Sequence, residues 1–316
     1  MAHSLVPLVY IVVFPGFVFL TAFGLFAEWV DRKMYARFQN RMGPPWFQPL
    51  ADILKLFGKE SIIPEEVEQW VFRLLPMVAL AATLTAFTYI PLWGRTALFS
   101  FNGDVIVVLY LLTIPTLTFF LAGWYSLCPF SLIGATRSLT QLFAYEVPLF
   151  VAILSAALLA NTWSLSEMTA FYAAHPGYWL FNLIGFGIGI FSLLGKLEKA
   201  PLDIPEAETE IVAGPFTEYS GNLFALFRLA INIETIVGAS LLAAVFLPFG
   251  LSLGPIVGFI LFLVKVLFIV VLLALAHAIF ARIRIDQMVN LCWKFIAPLA
   301  FAQLVLNIII KGTLLV

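Results

Sequence analysis

Charge is scarce in this sequence. Of its 316 residues only 11% are Asp, Glu, Lys or Arg, against about 25% in an ordinary soluble domain. With 62% of residues hydrophobic, a soluble globular enzyme and a disordered chain are both excluded. The formal net charge is −1, so no basic excess is available to hold a nucleic acid. Cysteine is scarcer still: Cys128 and Cys292 are the two present, and two thiolates cannot furnish a four-thiolate iron–sulfur site. The histidines His3, His175 and His277 are scattered and lack zinc spacing. The chain itself is therefore expected to carry no metal and no redox cofactor. The sequence opens with neither a basic n-region nor a small-residue cleavage site, so no removable signal peptide is expected.

Long apolar runs are abundant. A bilayer core takes about 20 apolar residues of helix, and eight stretches approach or meet that length. They are Leu5–Ala27, Val71–Trp93, Val105–Gly123, Gln141–Ala160, Tyr178–Leu194, Leu223–Leu247, Pro255–Phe280 and Trp293–Ile310. Pro176-Gly177, Gly214-Pro215 and Gly254-Pro255 punctuate the boundaries. The expected fold is an all-α, polytopic integral membrane protein, with residues 1–316 forming a single transmembrane domain. No internal repeat of the transporter kind is evident.

Lys and Arg set the orientation. The loops after spans 1, 3, 5 and 7 carry Arg32, Lys33, Arg37, Arg41, Lys55, Lys59, Arg137, Lys196, Lys199, Arg282 and Arg284. The loops after spans 2, 4 and 6 carry only Arg95. That bias places the odd loops in the cytoplasm and both termini outside, in a multi-pass protein of the cell membrane. Both long loops, residues 28–69 and 195–222, then lie on the cytoplasmic face.

In the first long loop Leu50, Ile53, Leu54 and Phe57 recur at i, i+3, i+4 and i+7, which predicts a short amphipathic helix along the interface. At its plainest this is a membrane-hugging loop; the sharper reading is a docking floor for a peripheral protein. In the second, Glu198, Asp203, Glu206, Glu208, Glu210 and Glu218 outnumber Lys196 and Lys199. Asp203 and Glu206 fit a capping box, Pro205 suits a first turn, and Gly214-Pro215 ends a helix. On such a helix Asp203, Glu206 and Glu210 share a face, with Glu208 nearly opposite. These acids either complement a helix N-terminus or form a set whose coupled pKa values let it store and pass protons.

Ionisable groups inside spans are costly and call for a reason. Glu146 lies near the cytoplasmic end of span 4, Arg228 at similar depth in span 6, and His277 near the same end of span 7. Glu234 is about 16 Å into span 6 and Lys265 about 15 Å into span 7 at 1.5 Å per residue, so an ion pair between them is expected. From Glu198 and the loop acids, through Glu146 and Arg228, to Glu234 and Lys265, charge steps from the surface to the middle and no further. Asp104 and Glu167 belong to the outer loops. The pattern suggests a half-channel that hands charge sideways, or else pairs that only fix helix packing.

The same residues carry a resemblance. The run Leu197-Glu198-Lys199-Ala200-Pro201-Leu202-Asp203-Ile204-Pro205-Glu206-Ala207-Glu208-Thr209-Glu210-Ile211-Val212-Ala213-Gly214 resembles the acidic loop of the quinone-chamber membrane subunit of respiratory complex I. Thr217-Glu218-Tyr219-Ser220-Gly221 follows as that family's T-E-Y-S-G. Arg41-Met42-Gly43-Pro44 is similar to its R-x-G-P, residues 48–55 to its Q-P-x-A-D-x-x-K, and Tyr145-Glu146-Val147-Pro148 to its Y-E-x-P. Two features depart from complex I. Only Pro45-Trp46-Phe47 separate R-x-G-P from Q-P, and Phe224-Ala225-Leu226-Phe227-Arg228-Leu229-Ala230 leads to Ile231 where a Glu is usual, with Glu234 on roughly the same face. Both departures resemble the counterpart subunit of membrane-bound nickel–iron hydrogenases and related complexes.

The resemblance implies a non-catalytic membrane subunit of a multi-subunit oxidoreductase. It implies that Glu146, Glu198, Asp203, Glu206, Glu208, Glu210, Glu218, Arg228, Glu234 and Lys265 form a coupling path for protons or Na⁺. Arg37, Arg41, Gly43, Pro44, Asp52 and Lys55 would dock the peripheral arm. The implied partners are a hydrogenase-like large subunit, an iron–sulfur small subunit and antiporter-like membrane subunits. Iron–sulfur clusters, with or without a nickel–iron centre, would reside in those partners. A quinone-binding subunit, a stand-alone ion or solute carrier and a purely structural anchor are the alternatives.

Overall fold

The computed structural model describes residues 10–92, 97–250 and 254–314. Leu5, His3, Trp93 and Arg95 lie outside the described residues. The chain forms α1 (Phe17–Phe38), α2 (Gln48–Phe57), α3 (Gln69–Thr88), α4 (Asp104–Tyr125), α5 (Pro129–Ala160), α6 (Leu165–Ala174), α7 (Leu183–Lys196), α8 (Glu208–Ile211), α9 (Gly221–Phe246), α10 (Pro255–Ile279), α11 (Ile285–Leu291) and α12 (Ala297–Leu314). A 3₁₀ segment, Pro176–Asn182, leads into α7, and a π turn, Cys292–Ile296, joins α11 to α12. Among the described residues eight continuous helical stretches are long and apolar enough to cross a membrane: Tyr10–Phe38, Gln69–Thr88, Asp104–Tyr125, Pro129–Ala160, Pro176–Lys196, Gly221–Phe246, Ile256–Ile279 and Ile285–Thr313.

Three boundaries differ from the sequence reading, the last span beginning at Ile285 and not at Trp293. The first span continues beyond Ala27 to Phe38, because its buried stripe Leu20, Phe23, Gly24 and Ala27 continues in helical register to Asp31. Glu28 and Arg32 add an i,i+4 ion pair over the same turn. The fourth helix starts at Pro129, so Arg137 rides on a helix and not in a loop.

The most buried span is α9, and α1, α3, α4, α7 and α10 all pack against it. Glycine allows two of these contacts. A Cβ on Gly238 would stand 2.5 Å from Leu193 of α7, and one on Gly24 would meet the Asn232 carbonyl oxygen at 3.3 Å. Lipid offers helices no hydrophobic driving force toward one another, so close backbone approach through small residues holds such a bundle. The consequence for function is that α9 carries Glu234 into the interior, with Asn232 and Arg228 partly buried on the turns before it.

Of the amphipathic helix α2, Ile53 and Pro49 face the protein. Leu50, Leu54 and Phe57 remain exposed, together with Met42 (92%) and Trp46 (73%) from the preceding turn. An apolar rim of this kind suits the bilayer interface.

Candidate functional site

A cavity of about 280 Å³ opens where α1, α9, α10 and the segment after α7 converge. Its wall is unusually charged for a cavity flanked by spanning helices. It carries Glu28, Asp31 and Arg32 from α1, Lys196 from α7, Glu198, Lys199, Asp203 and Glu206 from the acidic segment, Arg228 and Glu234 from α9, and His277 from α10.

Each charge is held by a partner distant in sequence. Lys199 Nζ lies 2.7 Å from Asp31 Oδ2. Arg32 bridges Glu28 and, at 2.8 Å, Asp52 of α2. Asn232 Nδ2 donates to Glu28 Oε2 at 2.6 Å. Arg228 and Glu206 are 3.9 Å apart. Deepest of all, Glu234 is 0% exposed, and Lys196 Nζ lies 3.5 Å from its Oε1. Both charges of that pair are almost wholly buried; a charge left alone there would be strongly destabilising, so each requires the other. His277 stacks on Tyr35 with ring centroids 4.0 Å apart.

The Glu234–Lys265 pair expected from depth does not form. Lys265 points the other way, to the Phe249 carbonyl, and lies with Ser240, Ala243, Ala244 and Leu247. Those residues are about 9 Å or more further along α9 at 1.5 Å per residue. Equal depth counted from opposite ends of two helices ignores their tilt and rotation, and Lys196, at the end of α7, supplies the cation instead.

Nor does the acidic segment form the expected capped helix with Asp203, Glu206 and Glu210 on one face. Only Glu208–Ile211 is helical. The four preceding carbonyls are taken by donors from elsewhere: Pro201 O by the Ile283 amide at 3.1 Å, Leu202 O by Gln141 at 2.7 Å, Asp203 O by Arg282 at 2.8 Å and Ile204 O by Arg137 at 3.4 Å. A helix capped at Asp203 would need the Asp203 and Ile204 carbonyls for its own first turn. The acids accordingly diverge. Asp203 Oδ1 meets Arg282 Nε at 3.0 Å, Glu206 meets Arg228, and Glu210 meets Arg137 at 2.6 Å. The hydrogen bond from Arg137 holds the exposed Glu210 carboxyl below its ordinary value.

Glu198 is the acid that burial affects most outside the spans. Its backbone adopts φ +49°, uncommon for a residue with a side chain, and this delivers the carboxyl to the cavity wall. Burial, and then the neighbouring Glu206, push its pKa up to about 8, opposed by the hydrogen bond that Ser138 donates to Oε1 at 3.0 Å. Glu146 is not on the cavity wall; it lies on α5, half-buried, with Oε1 buried and lacking a hydrogen-bond partner. Glu218 stands apart, beside Glu65, Glu66 and Cys128.

Of the residues expected to dock a partner, Arg37, Arg41 and Lys55 are exposed. Asp52 turns inward: burial acts to raise its pKa, but hydrogen bonds from Arg32 and Gln48 prevail and hold it low. Gly43 seats the chain against Lys33, whose backbone would lie 2.9 Å from an added Cβ. The Pro44 carbonyl accepts from Trp29 at 3.2 Å. A second cavity of about 250 Å³ lies between α2 and α9 and shares Glu28, Arg32, Arg228 and Asn232 with the first.

Sequence reasoning missed Glu28, Asp31, Lys196, Lys199 and Asn232 as site residues. A signal existed for two of them: Asp31 extends the buried stripe of α1 and Glu28 precedes Arg32 by one turn. Nothing in the local sequence marks Lys196 as the partner of Glu234. Among the described residues no three His, Cys, Asp or Glu side chains gather in a metal-binding arrangement.

Comparison with known proteins agrees with this architecture. The NADH dehydrogenase family matches residues 9–308. The H subunit of the NADH-quinone oxidoreductase of Carboxydothermus hydrogenoformans is 36% identical over 310 residues, covering 94% of this chain and 85% of the relative. Its counterpart in the NADH-quinone oxidoreductase of Dehalococcoides mccartyi is 35% identical over 308 residues, covering 95% and 85%. Among solved structures, a chain of the membrane-bound sulfane sulfur reductase, an archaeal respiratory membrane complex, superposes with a TM-score of 0.85 at 28% identity, covering 97% of this chain and 100% of that one. The chain therefore belongs to the NADH dehydrogenase family, as a multi-pass membrane subunit of the H type in a multi-subunit respiratory complex.

Proposed function

We propose that this subunit is the coupling anchor of a hydrogenase-type complex related to complex I. One observation carries the reading: a single cavity joins Glu198, Asp203 and Glu206 of the acidic segment to the fully buried Glu234 of α9. In a site of low effective dielectric, a change of charge at one group alters the proton affinity of the others. A peripheral redox arm covers the acidic segment and the exposed bases Arg37, Arg41 and Lys55. Electron transfer in that arm perturbs Glu198 and its neighbours, and the perturbation passes inward to Glu234. Protons or Na⁺ then move through adjacent antiporter-like subunits. In this arrangement iron–sulfur clusters, and a nickel–iron centre where the arm is a hydrogenase, belong to the partners. The Lys and Arg bias puts the cavity mouth on the cytoplasmic side of the cell membrane.

The test is the paired change Lys196→Met/Glu234→Gln in the intact complex, which leaves neither buried charge alone. Assembly and electron transfer are expected to persist while ion movement is lost; pumping at the normal rate removes Glu234 from the path.

A second reading, quinone binding, is favoured by the names of the curated relatives and by the cavity that flanks α2. A ring with an apolar tail is usually met by a mostly apolar wall with few polar groups, whereas the main cavity is lined by charge. Inhibition of turnover by quinone-site inhibitors would select this reading over the first.

A further inference from the structure

Lys265 is a cation inside a spanning helix for which the coupling path has no use. It lies about 15 Å along α10 from Pro255 at 1.5 Å per residue and is half-buried. Its described partner is the Phe249 carbonyl, which occupies one of the three donors of an ammonium. The side chain borders a small cavity of about 30 Å³ between α9 and α10, close to the volume one water molecule takes in the liquid. Among the described residues around that cavity none is acidic.

Ser240 borders the same cavity from α9. It is 0% exposed, and its Oγ is buried with no hydrogen-bond partner. A hydroxyl in a helix can bond back to the carbonyl one turn earlier, as Thr235 does to Ile231 at 2.9 Å; Ser240 does not. The third polar side chain, Thr169, is engaged with the Leu165 and Ala244 carbonyls at 2.7 and 3.2 Å. The cavity therefore combines an uncompensated positive charge with a buried hydroxyl that has nothing to donate to. Gly258, in the first turn of α10, also borders it, and the positive end of a helix dipole favours an anion.

We propose that this cavity binds a small monovalent anion, chloride, held by Lys265 Nζ and Ser240 Oγ. Water could accept both hydrogen bonds but would leave the charge standing, which is the costly part at such a depth. An anion meets both needs. The rest of the wall is apolar, with Pro91, Leu247 and Phe262. A phosphate or sulfate would leave oxygens unpaired there; a halide would not. The bound ion also ties the chain after α9, through Phe249 and Lys265, to α10.

The experiment uses the whole purified complex in lipid nanodiscs, exchanged into sodium gluconate and dialysed against ³⁶Cl⁻. The native complex is expected to hold one more chloride than the Lys265→Met complex, displaced by bromide and not by gluconate. Lys265→Arg keeps the charge and should keep the ion. Ser240→Ala keeps the cation and loses one hydrogen bond to a charged group, so chloride affinity should fall roughly tenfold or more. The unfolding temperature of the native complex should rise with chloride and that of Lys265→Met should rise less, since a ligand bound only by the folded state stabilises it. Equal ³⁶Cl⁻ in the native and Lys265→Met complexes overturns the proposal and makes the cavity a site for water. Should Lys265→Met fail to assemble, Ser240→Ala decides: an unchanged affinity overturns the proposal equally. None of these measurements involves pumping, so the outcome is independent of the coupling reading.

Discussion

Glu198 joins two conditions that normally exclude each other, a side chain folded into the protein and a carboxyl group with no cation paired to it. Burial favours its neutral form, and Glu206 adds a like charge nearby. The result is a carboxyl with a pKa of about 8 in place of the ordinary 4.5, and hence one that carries its proton at neutral pH. A raised folded-state value means that the folded protein binds this proton more tightly than the unfolded chain. Its contribution to stability is complete below the unfolded value and is lost as pH rises through about 8. Infrared titration of the complex is expected to show one protonated carboxyl disappearing near that pH and absent in Glu198→Gln. The variant should also lose less thermal stability between pH 7 and 9 than the native protein, on the order of the same titration range. A carboxyl that ionises in the ordinary range for glutamate would show that water reaches Glu198 freely. A proton held so near neutrality can be displaced by a modest change of charge close by, which is the property a coupling acid needs.

At the scale of elements, the acidic segment is a strap pinned from both sides. Gly214 turns it with φ +53°, and a Cβ there would fall 1.9 Å from the Pro205 carbonyl oxygen. Gly134 on α5 receives the same turn, and its own Cβ would stand 2.6 Å from Gly214 Cα. Since the obstacle is backbone and not a flexible side-chain end, Gly134→Ala is expected to cost about 1–3 kcal/mol and to loosen the strap. A lower unfolding temperature of the complex, with faster proteolysis between residues 203 and 213, would register this; an unchanged midpoint would show that α5 and the strap can part without loss. The spans themselves were legible because each must satisfy the bilayer by its own composition. The interfacial helix was legible because its apolar spacing is local. The strap was not: Asp203-x-x-Glu206 fits a capping box, yet the carbonyls that would start the helix, those of Asp203 and Ile204, are claimed by Arg282 and Arg137. The cavity was hidden for the same reason. Its members were visible as rare charges, but Lys199 and Asp31 are 168 residues apart, and Lys196 reached Glu234 where Lys265 had seemed placed to do so. Depth along a helix can be counted from sequence; the direction a side chain takes around that helix depends on neighbours that only the tertiary packing supplies.

Among the described residues, the charges that line the main cavity gather at one end of the molecule, and the core of α9 beyond them is apolar. Beyond Glu234 the rest of α9, from Thr235 to Phe246, is buried and carries no charge. Of the described charged groups toward the far end, Asp104 accepts from the Leu165 amide at 2.6 Å and lies within reach of Ser100 and Ser164, and Lys265 is turned to the Phe249 carbonyl. Neither continues a line from Glu234. Carrying an ion straight across would mean moving it through that apolar stretch, where a charge costs about 2.5–3.5 kcal/mol on insertion scales and more in simulations of an isolated helix. Under the coupling reading proposed above, this asymmetry suits a subunit that passes charge to a neighbour better than a carrier that acts alone. Reconstituted by itself into liposomes, the chain is therefore expected to dissipate neither a proton nor a sodium gradient, measured with a pH-sensitive dye or ²²Na⁺ uptake. The complete complex, energised by its electron donor, should build such a gradient in the same vesicles. Saturable transport by the isolated chain would mean that the dry half opens, and the protein would then be a carrier in its own right.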